Sequence, residues 1–471
     1  MRRLLLCCLF LGGLLPAQTP VESDWGPFRA RWTDVHGNLR QRTLGPFREH
    51  ITTPEDWTLS AWRPLWLRWN HDGDEVLRQE FLWPLARSTH RGSERGWRFL
   101  LTFGYNQDLT DPESRHRLWV LPFYFHGRDA RGNDYRALFP LGGSIHDFLL
   151  WEEIDFLLWP LQVSSRTRGI EANTYLWPVY SRTEGPGIER FRIFPFYGYA
   201  QREGLGRKTF VLWPFWTTVQ YDSPSRSGSG WILFPVAGHL DLEDQQSWWV
   251  LPPFFRYHIG EDKNRILGPW PFVQISDGAT HKRYLWPLYG TKTIGSTRRQ
   301  FLLWPFFWHE NIDREQGDLT RTWAVPFVQH FHTATPDGDA TASRYLKIWP
   351  LFSHLNRREG PVRRTVFPDL NPFRAGPLER NYAPFWQLFI REQVGDAVDT
   401  EILWGLYRSA RRENSRYHSL FPLFQLERTP DSRRFSLLKG LLARNRQGDE
   451  TSWRVLYLFR FGDKEPSETL P

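Results

Sequence analysis

The feature that most constrains this chain is a proline that returns at nearly fixed spacing inside an apolar, ring-rich motif. Leu82-Trp83-Pro84-Leu85, Leu176-Trp177-Pro178-Val179-Tyr180 and Leu212-Trp213-Pro214-Phe215-Trp216 carry it. So do Leu285-Trp286-Pro287-Leu288-Tyr289, Leu303-Trp304-Pro305-Phe306-Phe307 and Leu420-Phe421-Pro422-Leu423-Phe424. Trp159-Pro160 and Trp349-Pro350 fall in the same slot, and Gly405 and Gly440 fill it where proline is missing. Counted from Pro27 to Tyr457, the repeat is about 18.7 residues, too regular for chance and too short for helix-pair solenoids.

Each motif is a short apolar run bounded by polar residues, which is a strand signature and too short for a helix. Glu184-Gly185-Pro186-Gly187, Ser227-Gly228-Ser229-Gly230 and Pro336-Asp337-Gly338-Asp339 supply turn chemistry between runs. Connectors this short favour antiparallel neighbours. The expectation is an all-β, antiparallel up-and-down meander of about 24 strands, each centred on its proline with a bulge or kink to admit it. Residues two apart across the proline, such as Leu212, Pro214 and Trp216, would share one face, with Trp213 and Phe215 on the other. Both faces are then apolar over about 17 Å, so both need cover. A closed outer-membrane barrel is the leading architecture. A β-propeller and layered sheets are the alternatives.

Residues 1–17, MRRLLLCCLFLGGLLPA, read as a secretory signal peptide: Arg2 and Arg3, an apolar core, then Ala17 as a cleavage position. Residues 18–461 form one β-repeat domain and 462–471 a polar tail. Near the end, Trp453, Val455, Tyr457, Phe459 and Phe461 alternate, and this stretch resembles the aromatic final strand of outer-membrane barrels. The resemblance covers about nine residues and implies a membrane-facing last strand.

Composition narrows the function classes. With 40% hydrophobic and 16% aromatic residues, the chain is too apolar to stay disordered. Both cysteines, Cys7 and Cys8, lie in the leader, which leaves no disulfide scaffold or cysteine metal site. A net charge of +8 spread along 471 residues does not point to nucleic acid. His330 and His332, two apart in Gln329-His330-Phe331-His332, could share a strand face and clamp a metal, although no third ligand is spaced to join them. Glu152, Glu153 and Asp155 could form a paired-carboxylate site or a solvated turn. Gly290-Thr291-Lys292-Thr293 lacks phosphate-loop spacing and reads as a hairpin turn.

No catalytic motif and no cofactor site emerge. The expectation is an exported, non-enzymatic cell-envelope protein embedded in or bound to a bacterial outer membrane, as a pore or scaffold, with membrane lipid or envelope polysaccharide as partner. The alternative is a soluble periplasmic or secreted carbohydrate-binding repeat protein. The residues that carry the reading are the repeat positions Trp83, Pro84, Trp159, Pro160, Trp177, Pro178, Trp213, Pro214, Trp286, Pro287, Trp304, Pro305, Trp349 and Pro350.

Overall fold

Between two proline motifs the chain turns polar, and it is there that it pairs with itself. The computed structural model describes residues 20–462 apart from 72, 74, 225, 262, 336–340, 358, 359, 367, 368 and 373–375. The leader at 1–17 and the turn at 336–339 lie outside these residues. So does the tail except Gly462, which ends the last strand.

The chain is all-β: one antiparallel up-and-down sheet of 46 strands. Strands are mostly five or six residues long, as in Gln162–Thr167, Ile170–Tyr175 and Tyr180–Gly185. Each bonds its sequence neighbours, so Gln162 faces Tyr175 and Tyr175 faces Tyr180. The sheet is not closed by hydrogen bonds. The first strand, Val21–Trp25, pairs with Arg29–Thr33, and the last, Phe459–Gly462, pairs with Glu450–Val455.

The strand count is nearly double the expected one because the proline does not sit mid-strand. Leu82-Trp83-Pro84-Leu85 is a turn between Val76–Phe81 and Ala86–Arg91, and Leu85 N donates to Leu82 O at 3.1 Å. The Trp83-Pro84 peptide is cis, with Pro in the third place of a four-residue turn, the type VI arrangement. The same holds at Pro160, Pro178, Pro214, Pro287, Pro305 and Pro350. An apolar run that looks continuous is therefore the end of one strand, a turn and the start of the next. Proline cannot donate to a ladder, and a turn is where that lack is harmless. The expected bulge and the face assignment across the proline are corrected accordingly.

Gly405 and Gly440 hold this slot with φ of 93° and 112°, values that disfavour a side chain. Each repeat is thus a hairpin: two short strands, one proline turn and one polar turn. Two smaller expectations also change. Gly228 to Gly230 lie inside the strand Arg226–Leu233, and Gly290-Thr291-Lys292-Thr293 lies inside Tyr289–Ile294. The aromatic stretch near the end is broken by a turn at Leu456–Leu458, so it is not one final strand.

By their contacts, residues 1–71 with 347–471 form one unit and residues 72–346 a second. In the first, the strands up to His71 stack face to face on strands near the C-terminus, around a core of Val21, Ala30, Trp32, Ala410 and Tyr417. A short helix, Gly376–Asn381, interrupts the strands of this unit. In the second unit, side-chain contacts run between strands that are near neighbours in sequence. Its buried core cluster gathers Phe125, Tyr135, Ala137, Ile145 and Phe156.

Candidate functional site

Counting strand positions outward from each proline turn gives every residue a height and a face. Position 1 of successive strands runs Tyr175, Tyr180, Ile193, Tyr197, Val211, Trp216, Leu233. Odd positions share one face and even positions the other. In the unit of residues 72–346 the buried side chains fall almost all on even positions, among them Glu80, Phe125, Thr183, Leu240, Ser247, His258, Phe301 and Gln329. Odd positions beside the turns are exposed and apolar: Tyr175, Ile193, Tyr197, Val211, Trp216, Leu233, Val250 and Phe255.

The proline turns extend this exposed surface into a rim. Leu176 is 57% exposed, Trp177 53%, Leu212 53% and Phe215 55%. Trp159, Trp213 and Trp304 are exposed too, while Trp83, Trp286 and Trp349 are half-buried. The tryptophans pack turn on turn. Trp159 and Trp177 have ring centroids 6.1 Å apart, and Trp286 and Trp304 5.6 Å apart. The exposed Leu, Trp and Phe of successive turns thus form a continuous apolar rim rather than isolated exposed residues.

The rim's backbone is as closed as its side chains are open. In the turn at Leu176–Val179, Leu176 N donates to Leu161 O at 2.7 Å, Trp177 N to Pro160 O at 2.8 Å and Val179 N to Leu176 O at 2.7 Å. Pro178 has no N–H, so every backbone donor of the turn is bonded within the rim. Leu212–Phe215 repeats this through Phe196 O, Pro195 O and Leu212 O, and Leu303–Phe306 through Leu288 O, Pro287 O and Leu303 O. The carbonyls of Pro140, Pro160, Pro195 and Pro287 receive the N–H of Trp159, Trp177, Trp213 and Trp304, whereas Trp270 and Trp286 donate to the carbonyls of Phe254 and Phe272. In the first group proline removes a donor that nothing would satisfy, and the preceding proline's carbonyl satisfies the tryptophan's. The opposite ends of the strands are polar turns, as at Asp129–Gly132 and Pro186-Gly187.

A second constellation joins the two ends of the chain in the unit of residues 1–71 and 347–471. Glu49 is buried against Arg63 at 2.8 Å, Arg42 at 3.3 Å and Arg40 at 3.5 Å. Burial opposes its charge, but Arg63, Arg42 and Arg40 win and hold the carboxyl far below the usual range. Arg42 also pairs with Glu401. Tyr417 donates to Asp24 Oδ2 at 2.8 Å, and Arg408 lies 3.4 Å from Asp24 Oδ1 and 4.0 Å over the Trp32 ring. Burial and the Asp24 charge push the Tyr417 phenol well above its ordinary range. These groups lock one end of the sheet to the other, and Trp32, Arg40, Arg42, Glu401 and Arg408 line a small polar cavity there. Arg42 with Glu401, and Asp24 with Tyr417 and Arg408, stand more than 350 residues apart, so no local pattern marks these pairs.

The histidines and carboxylates singled out from sequence are engaged by other side chains of the sheet. His330 and His332 do share a face of Val328–Ala334, but the Arg344 Nε lies 3.3 Å from His330 Nε2. Burial, with Arg344 and His332, lowers the His330 pKa. Among the described residues no group of three or more His, Cys, Asp or Glu could hold a metal. Glu152 and Glu153 point to opposite faces of Trp151–Leu157. Glu152 pairs with Arg131 at 3.2 Å, Glu153 with Arg166 at 3.1 Å, and Asp155 bonds Ser144. The chain matches no protein-family model and no curated protein sequence.

Proposed function

We propose that this chain is an exported, non-enzymatic envelope protein whose proline rim and adjoining odd-face positions sit in the apolar layer of a membrane. The single observation that carries this is the hydrogen-bonded rim. Lipid accepts apolar side chains readily but tolerates no unpaired backbone donor. Ordinary turns are wet because their amides need water. These turns combine exposed Leu, Trp and Phe with amides bonded turn to turn. The rim and the first three strand positions reach about 15 Å, half of a hydrocarbon core about 30 Å thick. The role is that of a wall or scaffold entering one leaflet, rather than a barrel closed by hydrogen bonds. Export would be directed by residues 1–17.

Vesicle flotation tests this. The full chain, freed of detergent, should rise with phosphatidylcholine vesicles and resist extraction by high salt. Recovery in the soluble fraction without detergent would end the membrane reading. A carbohydrate-binding protein is the second reading, favoured by Trp216 and Trp231 stacked at 5.8 Å and 19° on the odd face. A glycan array with the purified chain tests it, and absence of binding would remove it.

A further inference from the structure

The even face holds a patch of charge that no described acidic residue on its own strand positions balances. At position 4, His258, Arg265, Ser276, Lys282 and Lys292 stand directly opposite one another on five adjacent strands. The strands are Phe255–Gly260, Lys263–Leu267, Val273–Gly278, Thr280–Leu285 and Tyr289–Ile294. Arg256 lies on the same face two residues nearer the rim, and Lys263 two residues farther out. The row spans about 19 Å at the usual interstrand spacing.

No described even position of these strands holds Asp or Glu. Some cations elsewhere on the even face do have acids. In the very next strands, Arg299 and Arg321 both pair with Glu310. Nearer the start of that unit, Arg78 pairs with the fully buried Glu80. Lys282 and Lys292, by contrast, are a directly opposed like-charge pair, an arrangement that destabilises a sheet. Lys282 finds only the Gln274 amide oxygen and the Tyr284 ring, and the buried Arg256 Nε has no hydrogen-bond acceptor. Burial lowers the Lys282 pKa, and Lys292, Arg265 and Lys263 lower it further. Below this row, at position 2, Trp249, Leu267 and Tyr284 alternate with Arg256 and Gln274.

We propose that Arg256, Arg265, Lys282 and Lys292 form a binding site for closely spaced phosphate groups, with the ligand lying along the row. Phosphate oxygens would supply the acceptors and the negative charge that the sheet itself withholds, and lysine and arginine donors match them. The chemistry is shared by a phosphorylated lipid headgroup and by a soluble oligophosphate. The site lies on the face opposite the exposed apolar positions, so it stands whether or not the rim enters a membrane.

The probe is inorganic tripolyphosphate, titrated calorimetrically into the full chain in non-ionic detergent. The test variant is Lys282→Gln with Lys292→Gln. The control is Arg283→Gln with Arg298→Gln, which removes equal charge from odd positions of neighbouring strands. The test pair should weaken binding about tenfold and the control less than about twofold. Equal loss in both, or no binding by the native chain, overturns the site. Because the test pair removes like-charge repulsion, its Tm in the absence of phosphate should rise; a fall would mark Lys282 and Lys292 as structural and also overturn the proposal. A second arm compares vesicles with and without phosphatidic acid. Loss of phosphatidate-dependent binding in the test pair identifies a lipid headgroup, and loss confined to tripolyphosphate identifies a soluble ligand. Tighter binding of a single-stranded oligonucleotide than of either would refute the assignment.

Discussion

A charge placed at graded heights on one hairpin measures where lipid meets the sheet. The hairpin of Tyr197–Arg202 and Gly206–Val211 descends from the turn at Phe196. Tyr197 is strand position 1 and 38% exposed, and Gln201 is position 5 on the same face. At a rise of about 3.4 Å per residue, Gln201 lies about 14 Å beyond Tyr197. An arginine facing lipid costs about 2–4 kcal/mol deep in the layer and about 0–1 near its surface. Tyr197→Arg also removes partly exposed aromatic area, roughly 80 Å² and so about 2 kcal/mol at 25 cal/mol per Å². The sum is about 4–6 kcal/mol, or about three to four decades in partition. Gln201→Arg should shift partition by less than about one decade. The assay is a titration of the purified chain with phosphatidylcholine vesicles at limiting lipid, read by flotation. Equal shifts for Tyr197→Arg and Gln201→Arg would refute the reasoning, because depth would then not matter. So would a larger shift for Ala200→Arg, which lies on the even face.

Glu49→Gln removes the charge that balances Arg40, Arg42 and Arg63, and should destabilise the chain by about 3–5 kcal/mol in urea unfolding, with a loss under about 1 kcal/mol counting against the ionic layer. Tyr417→Phe should cost about 1–2 kcal/mol in the same assay, through the lost hydrogen bond to Asp24. A Cβ at Gly290 would lie 2.2 Å from the Phe301 ring, so Gly290→Val should lower stability by about 1–3 kcal/mol, and an unchanged urea midpoint would show that the ring can move aside. Glu49 and Asp129 have carboxyls depressed in the fold, the second to about 2 by backbone bonds from Asn133 and Arg131 and by His146, which outweigh burial. Both favour the folded state above the unfolded carboxylate range. Stability should therefore fall as pH drops from about 4 toward about 2, and a flat acid limb in pH-dependent unfolding would contradict this.

The repeat, the antiparallel neighbour order and the absence of helix-pair units could be read from the motif spacing alone. The strand count could not, because the strands themselves are the quiet part of the sequence. Gln162–Thr167, with residues QVSSRT, has no clean alternation of apolar and polar, and only Val163 of the strand joins the buried cluster. The loud part, Leu-Trp-Pro-Leu, suggested a core and is a turn. Pro178 was the available clue: a residue without an N–H argues for a turn over a ladder, and the expectation of a bulge overrode it. The contact of Asp24 with Tyr417 left no trace in local spacing, because the two meet only after the chain has folded. The basic row was equally hidden. Lys282 and Lys292 are ten residues apart, and register alone sets them face to face.

The turn-to-turn bonding has a consequence for how such a chain can change length. Because each rim turn bonds the turn before it, as Trp177 N does Pro160 O and Phe194 N does Val179 O, a whole hairpin could be spliced in or out while the seam heals with a turn-to-turn bond. Loss of a single strand would do the opposite. It would send every later proline to the watery border and swap greasy positions for charged ones along the remainder. About nineteen residues is thus the smallest increment by which this molecule can grow or shrink and keep its two borders distinct.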